Sequence, residues 1–302
     1  NIAIGKYSMK DGVVTGDNNT GLGSQTLNNL TSGQSNLAIG SGSMGLGTVT
    51  GNDNVAVGNF ALEDITSGGN NIALGSGSLA SATDNIGNVA IGFEALKTSA
   101  NDGDRNIAIG YQTIKTGDVS GTDNIAIGTN ALDDLTSGTD NIVLGSGAGL
   151  QVTDNVDNIA IGHDAFAASV NDGDKNVAIG SGAMKTGDVS GADNIGIGSL
   201  ALEDLTTGAS NVAIGKSAAL NLTTGGSNVA IGNLAIGSGI TTGDKNTVVG
   251  YSAAAALTSG INNTVLGAGA LASATTNIAN IAIGADALGS TVDDGDYNVA
   301  LG

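Results

Sequence analysis

A five-residue pattern, most often Asn-x-Ala-x-Gly, returns eighteen times and leaves little freedom in what this chain can fold into. The first copy is Asn1–Gly5, the last is Asn298–Gly302, and successive copies begin 17 or 18 residues apart. A fixed period of this length is typical of a solenoid, in which each repeat is one coil stacked on the last. We therefore predict an all-β parallel β-solenoid of about 18 coils of 17–18 residues, left-handed and without significant helix.

Positions within a coil are counted from the motif Asn, which is position 0. Positions +1 and +3 are apolar and usually β-branched, while position +2 is small, which predicts a short strand with one buried face. The Gly at position +4 ends this strand where the backbone turns sharply. A second short element carries a small residue at +7 and usually a large apolar one at +8, as in Ala131-Leu132. Six residues bounded by Gly are too few for a stable helix, so we expect strand or extended turn there.

Equivalent residues of stacked coils lie about 4.8 Å apart, so the motif Asn residues are predicted to form an amide ladder beside a column of Gly. The middle of this predicted ladder comprises Asn106, Asn124, Asn141, Asn158 and Asn176, with Gly110, Gly128, Gly145, Gly162 and Gly180. The residues at +1 and +3 are expected to point into the coil, which would leave the Ala at +2 as a stripe on the outside. A stripe of small residues lets another chain approach closely. This predicts self-association, as a homotrimer or a filament.

Charge and composition exclude several classes of partner. Nine Lys and Arg against 28 Asp and Glu give a net charge of −19, which repels nucleic acid and anionic lipid. No apolar run reaches membrane-spanning length, so we expect no membrane insertion in this segment. No linker or change of composition divides the chain, which predicts a single repeat domain over residues 1–302. Because the chain starts and stops inside the motif, we expect it to be a segment of a longer fibrous protein.

Catalytic and cofactor-binding residues are not expected. His163 is the only histidine, there is no cysteine, and no acid–base pair stands in a pocket-forming context, so we predict no enzyme activity and no cofactor. Stacked carboxylates repel one another unless they are paired or bound to metal, and calcium accepts such ligands. Structural calcium therefore stays open beside plain solvated turns, and its candidate ligands are Asp102, Asp104, Asp172, Asp174, Asp294 and Asp296.

The unit Asn124-Ile125-Ala126-Ile127-Gly128 resembles the head repeat of trimeric autotransporter adhesins, and related repeats of bacterial and bacteriophage tail-fibre-like proteins. The resemblance implies a parallel β-roll trimer that is extracellular, at a cell surface or in a virion fibre. The expected function is the structural shaft of an extracellular filament, surface adhesin or phage tail fibre, acting as a rigid spacer. The alternative is a solenoid whose turn face binds a host surface, with glycan, ice or calcium as its ligand.

Overall fold

The computed structural model describes residues 1–98, 103–117, 119–169, 173–237, 241–289 and 295–302. Within these ranges the chain consists of turns and eighteen three-residue strands, without helix. The strands are β1 (Ile2–Ile4), β2 (Thr20–Leu22), β3 (Leu37–Ile39), β4 (Val55–Val57), β5 (Ile72–Leu74), β6 (Val89–Ile91), β7 (Ile107–Ile109), β8 (Ile125–Ile127), β9 (Ile142–Leu144), β10 (Ile159–Ile161), β11 (Val177–Ile179), β12 (Ile195–Ile197), β13 (Val212–Ile214), β14 (Val229–Ile231), β15 (Thr247–Val249), β16 (Thr264–Leu266), β17 (Ile281–Ile283) and β18 (Val299–Leu301). The predicted all-β parallel solenoid of about 18 coils is confirmed, and its left hand stays a prediction.

The chain divides into two compact units, Asn1–Asp154 and Asn155–Gly302. In the first unit, strands β1 to β9 pair in sequence order, always in parallel. In the second unit, β10 to β18 pair in the same way. The register joins equivalent positions, so that Ala108 lies opposite Ala126. Like residues therefore form columns within each unit.

The interior of a coil is thin and is filled from five positions. In the coil that opens at Asn124, these are Asn124, Ala126, Ala131, Leu132 and Leu135, at positions 0, +2, +7, +8 and +11, and all five are fully buried. One aliphatic side chain from each of two turns thus packs against small residues and an amide. So little interior volume explains why the core is built largely without aromatic residues.

The prediction that Ala at +2 faces outward is wrong. The +2 residue is buried in every strand except β1 and β18, and the residues at +1 and +3 are half-buried or exposed throughout. Successive side chains of a strand point to opposite faces, so positions 0 and +2 share a face. Because the motif Asn points inward, Ala must point inward as well. The bulky β-branched residues are then left outside, where they pack along their own columns.

Neighbouring interior positions share a fixed volume. Where +2 is Val143, the +8 residue of the same coil is Gly149, and a Cβ there would lie 3.0 Å from Cδ2 of Leu132 and 3.5 Å from Val143. Where the preceding coil supplies Met184, the +2 residue is Gly196, whose Cβ would lie 3.1 Å from Cε of Met184. At these two places a large side chain at one position is matched by glycine at the neighbouring one, so that the interior is filled without strain.

The turns use left-handed backbone at three positions of each coil, −1, +6 and +8. In one coil the corresponding residues are Asp123, Asn130 and Leu132, with φ of 61°, 53° and 50°. This conformation costs roughly 1–2 kcal/mol for a residue with a Cβ. Hydrogen bonds between coils offset the cost, such as the 3.0 Å bond from the Asn130 N–H to the Tyr111 carbonyl. The frequent Asp and Asn before the motif Asn are explained by their tolerance of this conformation.

Candidate functional site

The motif Asn side chains form a hydrogen-bonded column inside each unit. The Nδ2 of Asn124 donates to Oδ1 of Asn106 at 3.0 Å and to the Gly138 carbonyl at 2.8 Å. Its Oδ1 accepts bonds from N and Nδ2 of Asn141, at 3.1 and 3.0 Å. In the second unit, Oδ1 of Asn158 accepts a bond of 2.8 Å from the Asn176 N–H. The side chain of Asn124 thus bonds to the coil before it and the coil after it. It also reaches across its own coil to a carbonyl of the opposite turn.

The motif Gly residues close each strand in a conformation that excludes side chains. Gly110, Gly128, Gly145, Gly162 and Gly180 have φ between 134° and 145°. A Cβ on Gly128 would lie 2.4 Å from the Gly145 carbonyl oxygen of the next coil, far inside van der Waals contact. Backbone therefore stacks directly on backbone at this corner, and the Gly column has a structural role.

Three of the six aspartates proposed for calcium act as caps on the preceding coil. Oδ1 of Asp104, Asp174 and Asp296 each accepts a backbone N–H bond, at 2.6, 2.7 and 2.8 Å. Asp102, Asp172 and Asp294 lie outside the described residues. Over the ranges that the structure describes, no group of three or more His, Cys, Asp and Glu side chains is placed to hold a metal ion. The observed contacts give these three carboxylates a role in holding the turns together.

The cation that follows one of these turns pairs with the next coil. Arg105 Nε and Nη2 donate to the two carboxylate oxygens of Asp123, at 2.7 and 2.8 Å. This bidentate pair lowers the pKa of Asp123 and raises the pKa of Arg105. Both side chains are exposed, so the pair contributes little to stability. It still neutralises two charges at a crowded acidic corner.

His163 occupies a solvent-exposed turn. Its side chain is 67% exposed, and Nδ1 lies 3.3 Å from Oδ2 of Asp164. The same carboxylate oxygen lies 2.9 Å from Nζ of Lys185, which raises the lysine pKa. The carboxylate therefore serves as the counter-ion of a lysine, and this arrangement gives no support to a catalytic role for His163.

Turn threonines direct their hydroxyls at the next coil. Oγ1 of Thr66 donates to the Thr83 carbonyl at 2.9 Å, and Oγ1 of Thr136 donates to the Thr153 carbonyl at 3.0 Å. These hydroxyls are partly buried and bonded to backbone. They are part of the coil-to-coil bonding, so they give no support to an ice-binding array.

An aliphatic face covers one side of each unit. It consists of the +1 and +3 residues, of which Ile127 and Ile142 in the first unit are 39% and 36% exposed. Nine strands at about 4.8 Å spacing make this face roughly 43 Å long, and a width of about 10 Å gives about 430 Å² per unit. The largest apolar patch of a typical monomer is about 300–600 Å² and is often functional. We call this surface the aliphatic face.

A cluster of aromatic and charged side chains lies on a different corner, at positions +5, +6 and +9 of the first unit. The rings of Phe93 and Tyr111 stack with their centroids 5.4 Å apart and 15° between their planes. A cleft of about 190 Å³ lies beside them, and its lining includes Phe60, Glu63 and Gly77. Phe60, Phe93 and Tyr111 are 47%, 45% and 51% exposed. We call this surface the aromatic cleft.

One carboxylate at the rim of the aromatic cleft is held by three donors. Glu94 accepts bonds from Nζ of Lys97 at 2.7 Å and from Nε2 of Gln112 at 2.9 Å. Nζ of Lys115 lies 3.2 Å from its second oxygen. The Lys97 bond is the largest cause of a pKa of about 2 for Glu94. The carboxylate is therefore ionised and fixed in place at neutral pH.

This arrangement predicts a loss of stability in acid. Because the folded-state pKa of Glu94, about 2, lies below the ordinary value of 4.5, its contribution is full above pH 4.5 and is lost as the pH falls through 2. Two partly exposed ion pairs contribute up to about 2 kcal/mol. We expect Glu94→Gln to be destabilised relative to wild type at pH 6 and equal to it near pH 2. Urea unfolding of both chains from pH 6 to pH 2 measures the difference; a gap that stays constant over this range would contradict the assignment.

The aromatic cleft was not among the sites predicted from the sequence. Its signal is present, because Phe93 and Tyr111 both occupy position +5 and Lys97 and Lys115 both occupy position +9 of successive coils. In a parallel solenoid, residues 17 or 18 apart are neighbours in space. Aligning the rare residue types by coil position would therefore have brought these side chains together.

Comparison with known proteins adds no identification. No protein-family model matches the chain, and no curated protein matches it either. Among the described residues, no helix is long and apolar enough to span a membrane. The geometry of the Asn column and of the two surfaces is therefore the basis for proposing a function.

Proposed function

We propose that this chain is a structural shaft, the rigid spacer of an extracellular fibre, a surface adhesin or a phage tail fibre. The repeated Asn column is the observation that carries the proposal. It ties each coil to its neighbours through buried hydrogen bonds, such as the 2.9 Å bond from the Asn194 N–H to Oδ1 of Asn176. An extracellular location and the absence of enzyme activity belong to the same proposal. A column of this kind resists local unfolding, which is what a load-bearing spacer outside the cell requires.

The shaft self-associates through the aliphatic face, most simply as a homotrimer. This surface replaces the Ala stripe as the basis for self-association, because Ala at +2 is buried. The mostly aliphatic side chains at +1 and +3 give each unit an apolar patch of about 430 Å², a size at which such patches are often functional. Each unit offers about 430 Å² of this face per copy, a substantial part of the roughly 800 Å² per partner that a standard interface buries. Burying the face of either unit removes apolar side chains from water and so favours association of copies.

Two charges on the aliphatic face are expected to abolish the assembly. Ile127→Glu with Ile142→Glu places two carboxylates in the proposed interface, where they are desolvated without partners. Light scattering after gel filtration should give the wild type a mass of three times 29.0 kDa and the double variant the mass of one chain. A variant with Leu46→Glu and Ile86→Glu, two exposed apolar residues away from this face, is the matched control.

The mass measurements decide the proposal. The control variant should assemble as the wild type does, and all three chains should share one circular dichroism spectrum. A larger polymer that the interface variant dissolves would also support self-association through this face. A wild type that remains a single chain at 100 µM protein, or an interface variant that still assembles, would refute the proposal.

A further inference from the structure

Aromatic side chains are placed outside the solenoid. The chain has three Phe and four Tyr, and of these only Phe166 is buried. Aromatic rings bury large apolar areas and contribute strongly to stability when they are buried. Leaving them exposed therefore costs free energy, which indicates that the exposed rings have another role. Five of the six exposed rings occupy position +5 or +6, on one corner of the coil: Tyr7, Phe60, Phe93, Tyr111 and Tyr251.

The aromatic cleft is the place where these rings cluster. Phe60 and Phe93 come from coils separated by one intervening coil, and that coil contributes Ser76 and Gly77 to the lining. A Cβ on Gly77 would meet only Cγ of Glu94, at 3.5 Å. There is thus space for a side chain at Gly77, and because the residue is glycine this space stays open and forms the floor of the cleft.

Phe93 presents one face of its ring to the cleft. Tyr111 covers the other face from the following coil. The cleft residues come from the same coil as Phe93 and from the two coils before it, on the side away from Tyr111. The uncovered face therefore borders the open volume, and Tyr111 supports the ring from behind. A ring held in this way loses little conformational entropy when a ligand packs on it.

Hydrogen-bonding groups of balanced charge surround the ring. Glu63 and Lys97 line the cleft together with Glu94, and Lys115 bonds to Glu94 from the next coil. These two carboxylates and two ammonium groups sum to zero, in a chain whose net charge is −19. Glu94 is held by Lys97, Gln112 and Lys115, so this carboxylate is oriented before any ligand arrives. A ligand rich in hydroxyls and without net charge matches this rim.

We propose that the aromatic cleft binds a neutral pyranose unit of a glycan chain. The C–H groups on one face of a pyranose carry partial positive charge and fit the negative face of the Phe93 ring. Glu63, Glu94 and Lys97 offer acceptors and donors to its hydroxyls. The open shape suits one unit of a longer chain, which can enter and leave the cleft at both sides. This function goes beyond a spacer, because it places a binding site on the flank of the shaft.

Titration with neutral oligosaccharides tests the proposal. The probes are cellohexaose, maltohexaose and chitohexaose, each added to the wild-type chain and followed by saturation-transfer NMR and calorimetry. At least one probe should bind saturably and shift the aromatic signals of Phe93 and Tyr111. Phe93→Ala should weaken that binding about tenfold, the effect of losing one stacked ring. Tyr251→Ala is the matched control, since Tyr251 is an exposed ring at the same coil position in the second unit.

Several outcomes would overturn the proposal. These are the absence of saturable binding by all three probes at 10 mM, or binding that Phe93→Ala leaves unchanged. A third is an altered assembly mass for Phe93→Ala, measured by light scattering, without any glycan binding; the corner would then be a contact with a second copy. The assembly variant with Ile127→Glu and Ile142→Glu should keep its glycan affinity. Failure of the shaft proposal and failure of the glycan site are thereby distinguished.

Discussion

Gly75→Ala is expected to destabilise the first unit by about 3–5 kcal/mol. Gly75 has φ of 141°, a conformation that only glycine adopts readily, and strain of this kind costs roughly 1–3 kcal/mol. The added Cβ would lie 2.2 Å from the Gly92 carbonyl oxygen and 2.6 Å from its carbon. Both atoms belong to backbone, so relief requires the next coil to move. Overpacking of this kind costs about 1–3 kcal/mol more.

The movement would also disturb hydrogen bonds between coils. The Gly92 N–H donates to the Leu74 carbonyl at 2.8 Å, and the Gly75 N–H donates to the Val57 carbonyl at 2.8 Å. Shifting either backbone segment weakens the bonds that join three successive coils. Because a solenoid contacts only its nearest neighbours, we expect the damage to be local, with the greatest loss of amide protection around β5 and β6.

Gly77→Ala is the matched control for this prediction. Gly77 lies two residues further along the same coil, with φ of 67°, and other coils place Phe60 and Glu94 at the same position. The open space there accepts a Cβ, so the cost is that of left-handed backbone alone, about 1–2 kcal/mol. Thermal unfolding should therefore lower the midpoint by roughly 6–20 °C for Gly75→Ala and by only a few degrees for Gly77→Ala. Equal midpoints for the two variants would show that the contact between a Cβ at position 75 and the Gly92 backbone does not reduce stability.

Much of this fold follows from the period and the motif. An invariant spacing of 17 or 18 residues with Asn and Gly at its ends predicts parallel stacking, and Ala108 indeed lies opposite Ala126. What was predicted wrongly is which side chains of the strand face the interior of the coil. A ladder of inward Asn side chains requires the +2 residue to point inward too, since the side-chain period of a strand is two. Hydrophobicity alone suggested the opposite, because it favours burying Ile125 and Ile127 over Ala126.

The candidate sites were less accessible to sequence reasoning. Acidic turns suggested calcium, but the oxygens of Asp104 and Asp174 are used by backbone N–H groups of the preceding coil. That use depends on how consecutive turns overlap, which a pattern of residue types does not specify. The stack of Phe93 on Tyr111 could have been inferred from their common coil position. The open floor at Gly77 could not, because it depends on which way the neighbouring side chains lean.

Asn211→Ala is expected to cost about 3–5 kcal/mol in the second unit. Asn211 is 1% exposed, and its Nδ2 donates to Oδ1 of Asn194 at 3.0 Å and to the Gly225 carbonyl at 2.9 Å. Its Oδ1 accepts the Asn228 N–H at 2.9 Å. Truncation leaves a buried donor and a buried acceptor without these partners, at about 1–3 kcal/mol each, and opens a small cavity. Chemical denaturation and amide exchange of the coils around β13 measure the effect.

Asn211→Asp separates the hydrogen bonds from the packing. The substitution keeps the shape of the side chain and its acceptor for Asn228, but replaces the donating Nδ2 by an oxygen that faces the Gly225 carbonyl. Burial and this acceptor should raise the pKa of the new carboxyl above its ordinary value. A group with a raised folded-state pKa contributes its full stability below the unfolded value of about 3.9 and loses it as the pH rises. We therefore expect Asn211→Asp to be strongly destabilised at pH 7 and to recover towards wild type near pH 4.

The comparison among three variants makes the test specific. Relative to wild type at each pH, the deficit of Asn211→Ala should stay constant, because alanine has nothing to titrate. Asn233→Ala removes an exposed amide in the same unit and should change stability by less than about 0.5 kcal/mol. Recovery of Asn211→Asp in acid would show that a hydrogen-bond donor at the position of Nδ2 is needed to hold the coils together. Without that recovery, the Asn column would stabilise the coils by filling space, and its hydrogen bonds would be incidental.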